Sequence, residues 1–388
     1  MKKVLLRAPL LTYSGYGTHA RQIFRWLKTV PDIKLKVQAL SWGVTPWMIS
    51  PQLEGGLVNE IMGCTISSSD EKFDVTLQLQ LPNEWDPSMG KVNIGMSAVV
   101  ETDRCNPTWV DCCNRMDHVV VPSNHAKNAL EISGTVVAPL SVVPEAFYEE
   151  IVSDNLPSLG IDFDTDFNFL LVGQMTGNNP ENDRKNIFYA IKWLCDAFST
   201  DADVGIVIKT NSGKNTKIDR RVTSRMLEQL LQEARKGPYP RVHFLHGAMS
   251  QAEIAALYRH PKIKAIVAPT KGEGFGLPLL EAAASGLPVI ATNWSGHLDF
   301  LSLGKFIPLS YTLEEIHKSR IDGSIFISGA QWALVDEEDF KKKVSKFRKS
   351  WLKPTEWAKE LQPKIISNYS QDAINASYDQ ILGRYLKS

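Results

Sequence analysis

The stretch Lys271–Glu281, KGEGFGLPLLE, restricts the architecture of this chain more than any other. It follows the apolar run IKAIVAP at 263–269, which reads as a buried strand. Gly272, Gly274 and Gly276 then crowd a short loop, and Pro278 opens the helix-forming run LLEAAA. Gly286 and Pro288 end that helix before a second strand, LPVIAT. Proline near a helix start and glycine past its end is the expected asymmetry, so the segment reads as strand, glycine loop, helix, strand of an α/β fold. A helix that opens after glycines turns free N–H groups and the positive end of its dipole toward whatever lies in front, which suits phosphate.

Two carboxylates sharpen this reading. Glu273 lies in the loop and Glu281 in the first turns of the helix, so both can face one ligand. A carboxylate is a poor partner for phosphate and a good acceptor for sugar hydroxyls. The pair therefore suggests a sugar at one end of a diphosphate and a ribose at the other. An ordinary αβ turn with a capping glutamate is the simpler alternative. A dinucleotide-binding reading of Gly272-x-Gly-x-Gly276 fails because Asn293 stands where an acidic residue is expected at the end of the next strand.

The segment Glu273–Glu281 resembles the Glu-x7-Glu motif of retaining, nucleotide-sugar-dependent glycosyltransferases of glycosyltransferase family 4 (glycosyl transferases group 1). The similarity runs back through VHFLHGAMSQAEIAALYRH at 242–260 and forward through SGLPVIATNWSGHLDFL at 285–301. It implies an α/β chain of GT-B fold, with two Rossmann-like domains facing across a cleft. Residues 1–155 would form the acceptor side and 166–368 the nucleotide-sugar-binding domain. A helix at about 370–388 would cross back to the N-terminal domain.

Composition agrees with that size and class. The 388 residues suit two domains, and 43% hydrophobic with 22% charged residues is globular. No apolar run approaches a membrane span, and MKKVLLRAPLL is broken too early by Arg7 and Pro9 for a secretory leader. Five cysteines, Cys64, Cys105, Cys112, Cys113 and Cys195, form no C-x-x-C pair and read as reduced thiols of a cytoplasmic protein.

Net neutrality conceals local charge. Residues 1–50 carry eight Lys/Arg against one acid, 209–241 nine against three, and 341–349 six Lys/Arg. Such runs are ordinarily solvated faces. If two of them line one cleft, a polyanionic acceptor becomes possible: a hydroxylated nucleic-acid base, an anionic lipid or a teichoic-type polymer.

In chain order, VLLRA at 4–8 reads as a first strand and ARQIFRWLKTV at 20–30 as an amphipathic helix. Gly15-Tyr16-Gly17 between them is a second candidate phosphate loop, similar to the family's N-terminal glycine loop. His19 is a packing residue or a ligand contact. Strands are expected at 37–42, 73–81, 92–99 and 117–123, and helices at 109–116 and 124–130. The aromatic segment GVTPWMISPQ at 43–52 is a buried loop or an acceptor-facing one. The run ETDRCNPTWVD at 101–111 resembles relatives that carry Glu where others have His, making Glu101 a candidate contact to the transferred sugar or its acceptor. Asp162, Asp164 and Asp166 lie in a polar linker and lack the spacing of a calcium loop.

In the second half, 169–173 and 204–209 are expected strands, and the loop QMTGNNPEND leads to Arg184, Lys185 and the helix at 187–198. Ligands of open α/β sheets bind beyond strand C-terminal ends, where Arg184, Lys185 and Lys209 fall. By resemblance this set holds the donor diphosphate. The scheme then gives Lys185, Arg184, Lys209 and the helix start at Leu277–Pro278 the leaving diphosphate, and Glu281 the ribose. Glu273 and the amides of Gly274, Phe275 and Gly276 take the sugar. No metal and no cofactor are required beyond a nucleotide-sugar co-substrate, with UDP-sugar the expected donor. SGKNTKIDRR at 212–221 reads as an inserted loop, 305–350 is hard to divide, and 354–368 and 371–386 look helical. An epimerase or a phosphorylase on the same scaffold, or a nucleotide-sugar-binding protein without turnover, are the alternatives.

Overall fold

The computed structural model describes residues 1–67, 72–175 and 179–387. The chain divides into two compact units: residues 1–146 with 322–330 and 368–388, and residues 147–321 with 331–367.

The first unit is built on β1 (Lys2–Ala8), α1 (Gly15–Thr29), β2 (Ile33–Ala39), α2 (Leu57–Cys64), β3 (Phe73–Leu79), β4 (Gly90–Met96), α3 (Pro107–Cys113), β5 (His118–Val121), α4 (Asn124–Ser133) and β6 (Leu140–Val142). Its six strands are all parallel, in the order β2-β1-β3-β4-β5-β6. A parallel sheet is covered by helices on both faces, which accounts for the apolar run of β5 and for the burial of Thr76 and Gln78 between the apolar residues of β3. The strand order reverses between β1 and β3, so the loop after β1 sits at the topological switch point where open sheets bind ligands.

The second unit holds β7 (Phe167–Val172), α5 (Ile187–Ala197), β8 (Val204–Thr210), α6 (Lys217–Ala234), β9 (Arg241–His246), α7 (Gln251–Tyr258), β10 (Ile263–Ala268), α8 (Leu277–Ala284), β11 (Val289–Thr292), α9 (Leu298–Leu301), β12 (Ile307–Leu309), β13 (Tyr311–Glu315), β14 (Gln331–Val335), α10 (Glu337–Ser350) and α11 (Leu352–Tyr369, its last two residues counted with the first unit). The parallel order is β12-β11-β10-β7-β8-β9. This is the doubly wound Rossmann order, with its switch point between β7 and β10. β13 and β14 form a separate antiparallel pair in the region the sequence leaves undivided.

The final helix, α12 (Gln371–Leu386), belongs to the first unit. Ile374, Tyr378, Leu382 and Leu386 recur every fourth residue and are all buried in that unit's core. Tyr378 stacks on Trp26 at 4.7 Å and shares a hydrogen bond with His19 Nε2 at 3.0 Å, while Trp26 Nε1 donates to Asp379 at 2.9 Å. Lys2 Nζ donates to the carbonyls of Tyr385 and Lys387, a cation set at the negative end of the helix dipole. His19 is thus a packing residue, and burial lowers its pKa to about 3.

Several boundaries differ from expectation. α1 begins at Gly15 and not Ala20, because Ser14 caps it by accepting the Gly17 N–H at 2.9 Å. β2 spans 33–39, ending before the 43–52 loop. The 212–221 segment is helical from Lys217, where Thr216 and Asp219 form a reciprocal capping box. The middle of the loop after β7, Thr176–Asn178, lies outside the described residues.

The basic run at 341–349 falls on α10, where Lys341 pairs with Glu337, Lys343 with Asp339, and Arg348 with Asp201 and Asp203. In the first 50 residues, Arg21 and Arg25 pair with Glu54, and Lys28 with Glu60. About half of the 341–349 cations and three of the eight in the first 50 residues are thus paired with acids of their own unit.

Candidate functional site

The second unit's switch point is flanked by the loops that follow β7 and β10. In the first, Asp183 is fully buried and accepts the N–H groups of Ile187 and Phe188 at 2.6 and 3.3 Å, capping α5. Asn186 turns the chain at φ +57°, a left-handed conformation that asparagine tolerates. Arg184 and Lys185 are therefore held in a capped turn and not on a mobile surface.

In the second loop, Gly276 opens α8 at φ +103° without a side-chain cap, and Pro278 occupies the first turn. No acid lies in that turn, so the dipole is not offset there. The loop is packed backbone to backbone. A Cβ on Gly296 would sit 2.3 Å from the Gly274 carbonyl oxygen, and Gly296 donates its N–H to the Glu273 carbonyl at 3.0 Å.

The two loops meet through charge. Lys185 Nζ donates to both Glu273 carboxylate oxygens at 2.7 and 2.8 Å, and Arg184 Nη1 approaches the same carboxylate at 3.3 Å. Arg184 also donates to the Gly272 carbonyl at 2.6 Å. Burial works to raise the Glu273 pKa, but Lys185 and Arg184 together overcome it and hold the carboxyl at about 2. The sequence reading directs Glu273 at a sugar and the two cations at a diphosphate. The structure turns these three groups on one another. They line a small pocket with Gly276 and Pro278, Arg184 apart.

Lys271 clamps the arrangement. Its buried ammonium donates to the carbonyls of Pro180 and Glu181 at 3.1 and 2.9 Å, and lies 4.9 Å from the Trp332 ring centre. Its backbone N–H reaches the Arg184 carbonyl at 2.8 Å. Ser295 and His297 brace the loop from the other side. The Glu273 N–H donates to Ser295 Oγ at 2.9 Å, and His297 Nε2 lies 2.7 Å from the Thr292 carbonyl. A carbonyl only accepts, so Nε2 carries the proton and Nδ1 is left to accept from Ser295 Oγ at 3.4 Å. Burial lowers the His297 pKa, which keeps this neutral tautomer.

Glu281 is separate from that cluster in its bonding. It is buried on α8 and accepts a hydrogen bond from Tyr258 of α7 at 3.1 Å. Burial without a cation pushes its pKa to about 7, although the Tyr258 hydroxyl pulls the other way. Lys209, at the end of β8, donates to Asn211 Oδ1 and the Gly247 carbonyl at 2.8 and 2.7 Å, and burial lowers its pKa to about 8. Tyr258, Lys271, Ser295 and His297 escaped the sequence reading. Their signal is only that polar side chains stand at inward-facing positions next to the motif.

In the first unit, Gly15, Tyr16 and Gly17 form the first turn of α1 at that unit's own switch point. Tyr16 is half-buried, and its hydroxyl meets Ser97 Oγ at 3.1 Å and accepts the Ala98 N–H at 3.0 Å. Its ring stacks on Trp42 at 3.9 Å, which anchors the aromatic loop. Glu101 lies near enough for its charge to help raise the Tyr16 pKa, after burial, the larger cause. The two glycines differ. A Cβ on Gly17 would stand 2.2 Å from the Thr12 carbonyl oxygen, whereas one on Gly15 meets nothing within 4 Å. Gly17→Ala is expected to destabilise the chain by about 2 kcal/mol and Gly15→Ala to leave it unchanged or slightly stabilised, read by urea unfolding.

Among the described residues, no group of three or more His, Cys, Asp or Glu is placed to hold a metal ion. Asp162 and Asp166 instead pair with Lys262 at 3.0 and 3.3 Å. No helix of the described residues is long and apolar enough to cross a membrane.

The family Glycosyl transferases group 1 matches residues 223–317, which span α6 to the start of the region after β13. A probable sucrose-phosphate synthase of Thermosipho melanesiensis is 31% identical over 170 residues, 42% of this chain and 35% of that protein. The match thus spans about a third of the relative's length. Among solved structures, a glycosyltransferase from Rickettsia africae superposes with a TM-score of 0.68 at 13% identity, covering 100% of this chain and 99% of that one. HepE of Anabaena, in complex with UDP-glucose, gives 0.60 at 12% identity, covering 99% and 100%. At such identities these structures establish the fold, which is GT-B.

Proposed function

We propose, for a chain that belongs with the group 1 glycosyltransferases of GT-B fold, that it moves a sugar from a UDP-sugar to an acceptor hydroxyl with retention of anomeric configuration. The observation that carries this reading is the Lys185–Glu273–Arg184 cluster at the switch point, beside the uncapped start of α8. A half-buried pair of cations that shares a single carboxylate can exchange that partner for a diphosphate. Donor binding would place the diphosphate against Lys185, Arg184, Lys209 and the α8 N-terminus. As the glycosidic bond breaks, these groups meet the negative charge that grows on the leaving diphosphate. Glu273 is released from its ion pairs to the sugar hydroxyls, together with the amides of Gly274, Phe275 and Gly276.

Glu281 takes the ribose hydroxyls, with Tyr258 setting the orientation of its carboxylate. The UDP of the HepE complex supports the choice of donor base. Lysine, arginine and amide groups supply the positive charge in this scheme, so transfer proceeds without a divalent ion. In the first unit, Glu101 and the α1 start at Gly15–Gly17 serve the acceptor side.

The test is release of nucleoside diphosphate from UDP-, GDP- and ADP-sugars, with and without EDTA, and NMR of the anomeric product. UDP-sugar turnover that is slow without acceptor, indifferent to EDTA and lost in Glu281→Ala is the expected result. Tight donor binding without release would identify a nucleotide-sugar-binding protein instead. An inverted product or a requirement for metal would overturn those parts of the scheme.

A further inference from the structure

We propose that the outward face of the first half of α6 docks on an anionic lipid surface. The helix buries Thr223, Leu227 and Ala234 on one side. Opposite them, Ile218, Arg221, Val222 and Arg225 follow one another at helical i, i+3, i+4, i+7 spacing and form a single stripe. Ile218 is 71% and Val222 61% exposed, among the most exposed large hydrophobic side chains of the protein. Apolar residues in such a pattern ordinarily point into a core; here they point out, between arginines.

The charge of this face is not offset by the protein. Lys214 and Lys217 extend it, and none of these four cations forms an ion pair among the described residues. Asp219, the acid at the helix start, is occupied by the backbone and hydroxyl of Thr216 and the N–H of Lys214. Glu228, the next acid along the flank, accepts a hydrogen bond from Ser224. Beyond it the face turns to Gln229 and Gln232, so the apolar and basic character is confined to the first turns.

That combination selects among occupants. A polyanion in water would engage the cations and leave two aliphatic side chains exposed. A second copy of the chain would bring like charges together. An anionic membrane satisfies both features: the cations meet headgroup phosphates while Ile218 and Val222 enter the acyl boundary. Docking of this kind places the enzyme beside lipid-borne substrates but does not depend on the transfer reaction.

The experiment is co-sedimentation of the full chain with phosphatidylcholine vesicles containing, or lacking, one third phosphatidylglycerol. Binding to the anionic vesicles alone, weakened by salt, is expected. Each charge removed should weaken it about fivefold, so R221E/R225E should lower partitioning at least roughly 25-fold. I218S/V222S, with every charge kept, should lower it about tenfold. These side chains are exposed, so both variants should unfold at the wild-type temperature, which verifies that the fold is intact. No binding to anionic vesicles would overturn the proposal, as would binding unchanged by the arginine pair. Loss with the arginine pair but none with I218S/V222S would reassign the face to soluble polyanions and sink the lipid assignment.

Discussion

Lys185→Met should reduce kcat for UDP-sugar turnover by a factor on the order of 10²–10³, the scale of one lost charge-stabilising donor. The same change should cost stability for a different reason. Lys185 makes the two shortest contacts to the buried Glu273 carboxylate, at 2.7 and 2.8 Å, and its loss leaves only Arg184 at 3.3 Å. Removing one partner of a buried pair is costly, and with Arg184 remaining the expected loss is about 2 kcal/mol. The sign with pH follows from Glu273, whose pKa is about 2 against an ordinary glutamate value of 4.5. That depression stabilises the fold above pH 4.5 and is lost as pH falls toward 2. Without Lys185 the Glu273 pKa rises, so acid unfolding should begin at higher pH. The double variant K185M/E273Q removes the stranded charge and should recover most of the stability, while kcat stays low. Recovery of both would mean that neither Lys185 nor the Glu273 carboxylate meets the donor.

What could be read in the sequence is mostly local. The Gly276 turn and Pro278 announce α8, since the left-handed backbone at Gly276 and the first helical turn each demand those residue types. The α/β class follows from alternating apolar runs and amphipathic segments, and the two Rossmann-like domains from the family resemblance. The Lys185–Glu273 pairing was out of reach, because 88 residues separate the partners and only the adjacency of β7 and β10 brings them together. The sequence does place both residues at strand ends; it does not say that they neutralise one another. The start of α6 was legible and passed over. Thr216-x-x-Asp219 is a capping-box signature, but the polar, basic residues around it lack an inward apolar period and read as loop. The β13–β14 pair escaped for a related reason, being short and largely exposed along β13.

Glu281→Gln should abolish tight UDP-sugar binding and yet make the free protein more stable at pH 8. In the folded chain Glu281 has a pKa of about 7 against an ordinary glutamate value of 4.5, because burial opposes its charge. Between those values the folded state holds a proton that the unfolded state has released, so wild-type stability declines as pH rises from 4.5 to 7. Above pH 7 the buried carboxylate is ionised with, among the described residues, Tyr258 alone to donate a side-chain hydrogen bond to it. The neutral amide escapes that penalty, less the cost of a buried NH₂, for a net gain of about 1–2 kcal/mol. At pH 5 the wild-type side chain is already neutral, and the two proteins should melt together. Binding should run the other way: in the proposed scheme Glu281 must be ionised to take the ribose, and Lys209, with its pKa of about 8, protonated to meet the diphosphate. The affinity for UDP-glucose, whose phosphates do not titrate in this range, should peak near pH 7.5 and fall about sixfold by pH 6 and by pH 9. Calorimetric titration across that range checks it. Tyr258→Phe should move the acid limb to higher pH, and Lys209→Met should erase the alkaline limb. A flat profile in the wild type would separate Glu281 and Lys209 from the donor, whatever the enzyme's activity. On the proposed scheme the buried carboxylate at Glu281 trades stability for donor binding, and the melting temperature of Glu281→Gln measures the stability side of that trade without any assay of transfer.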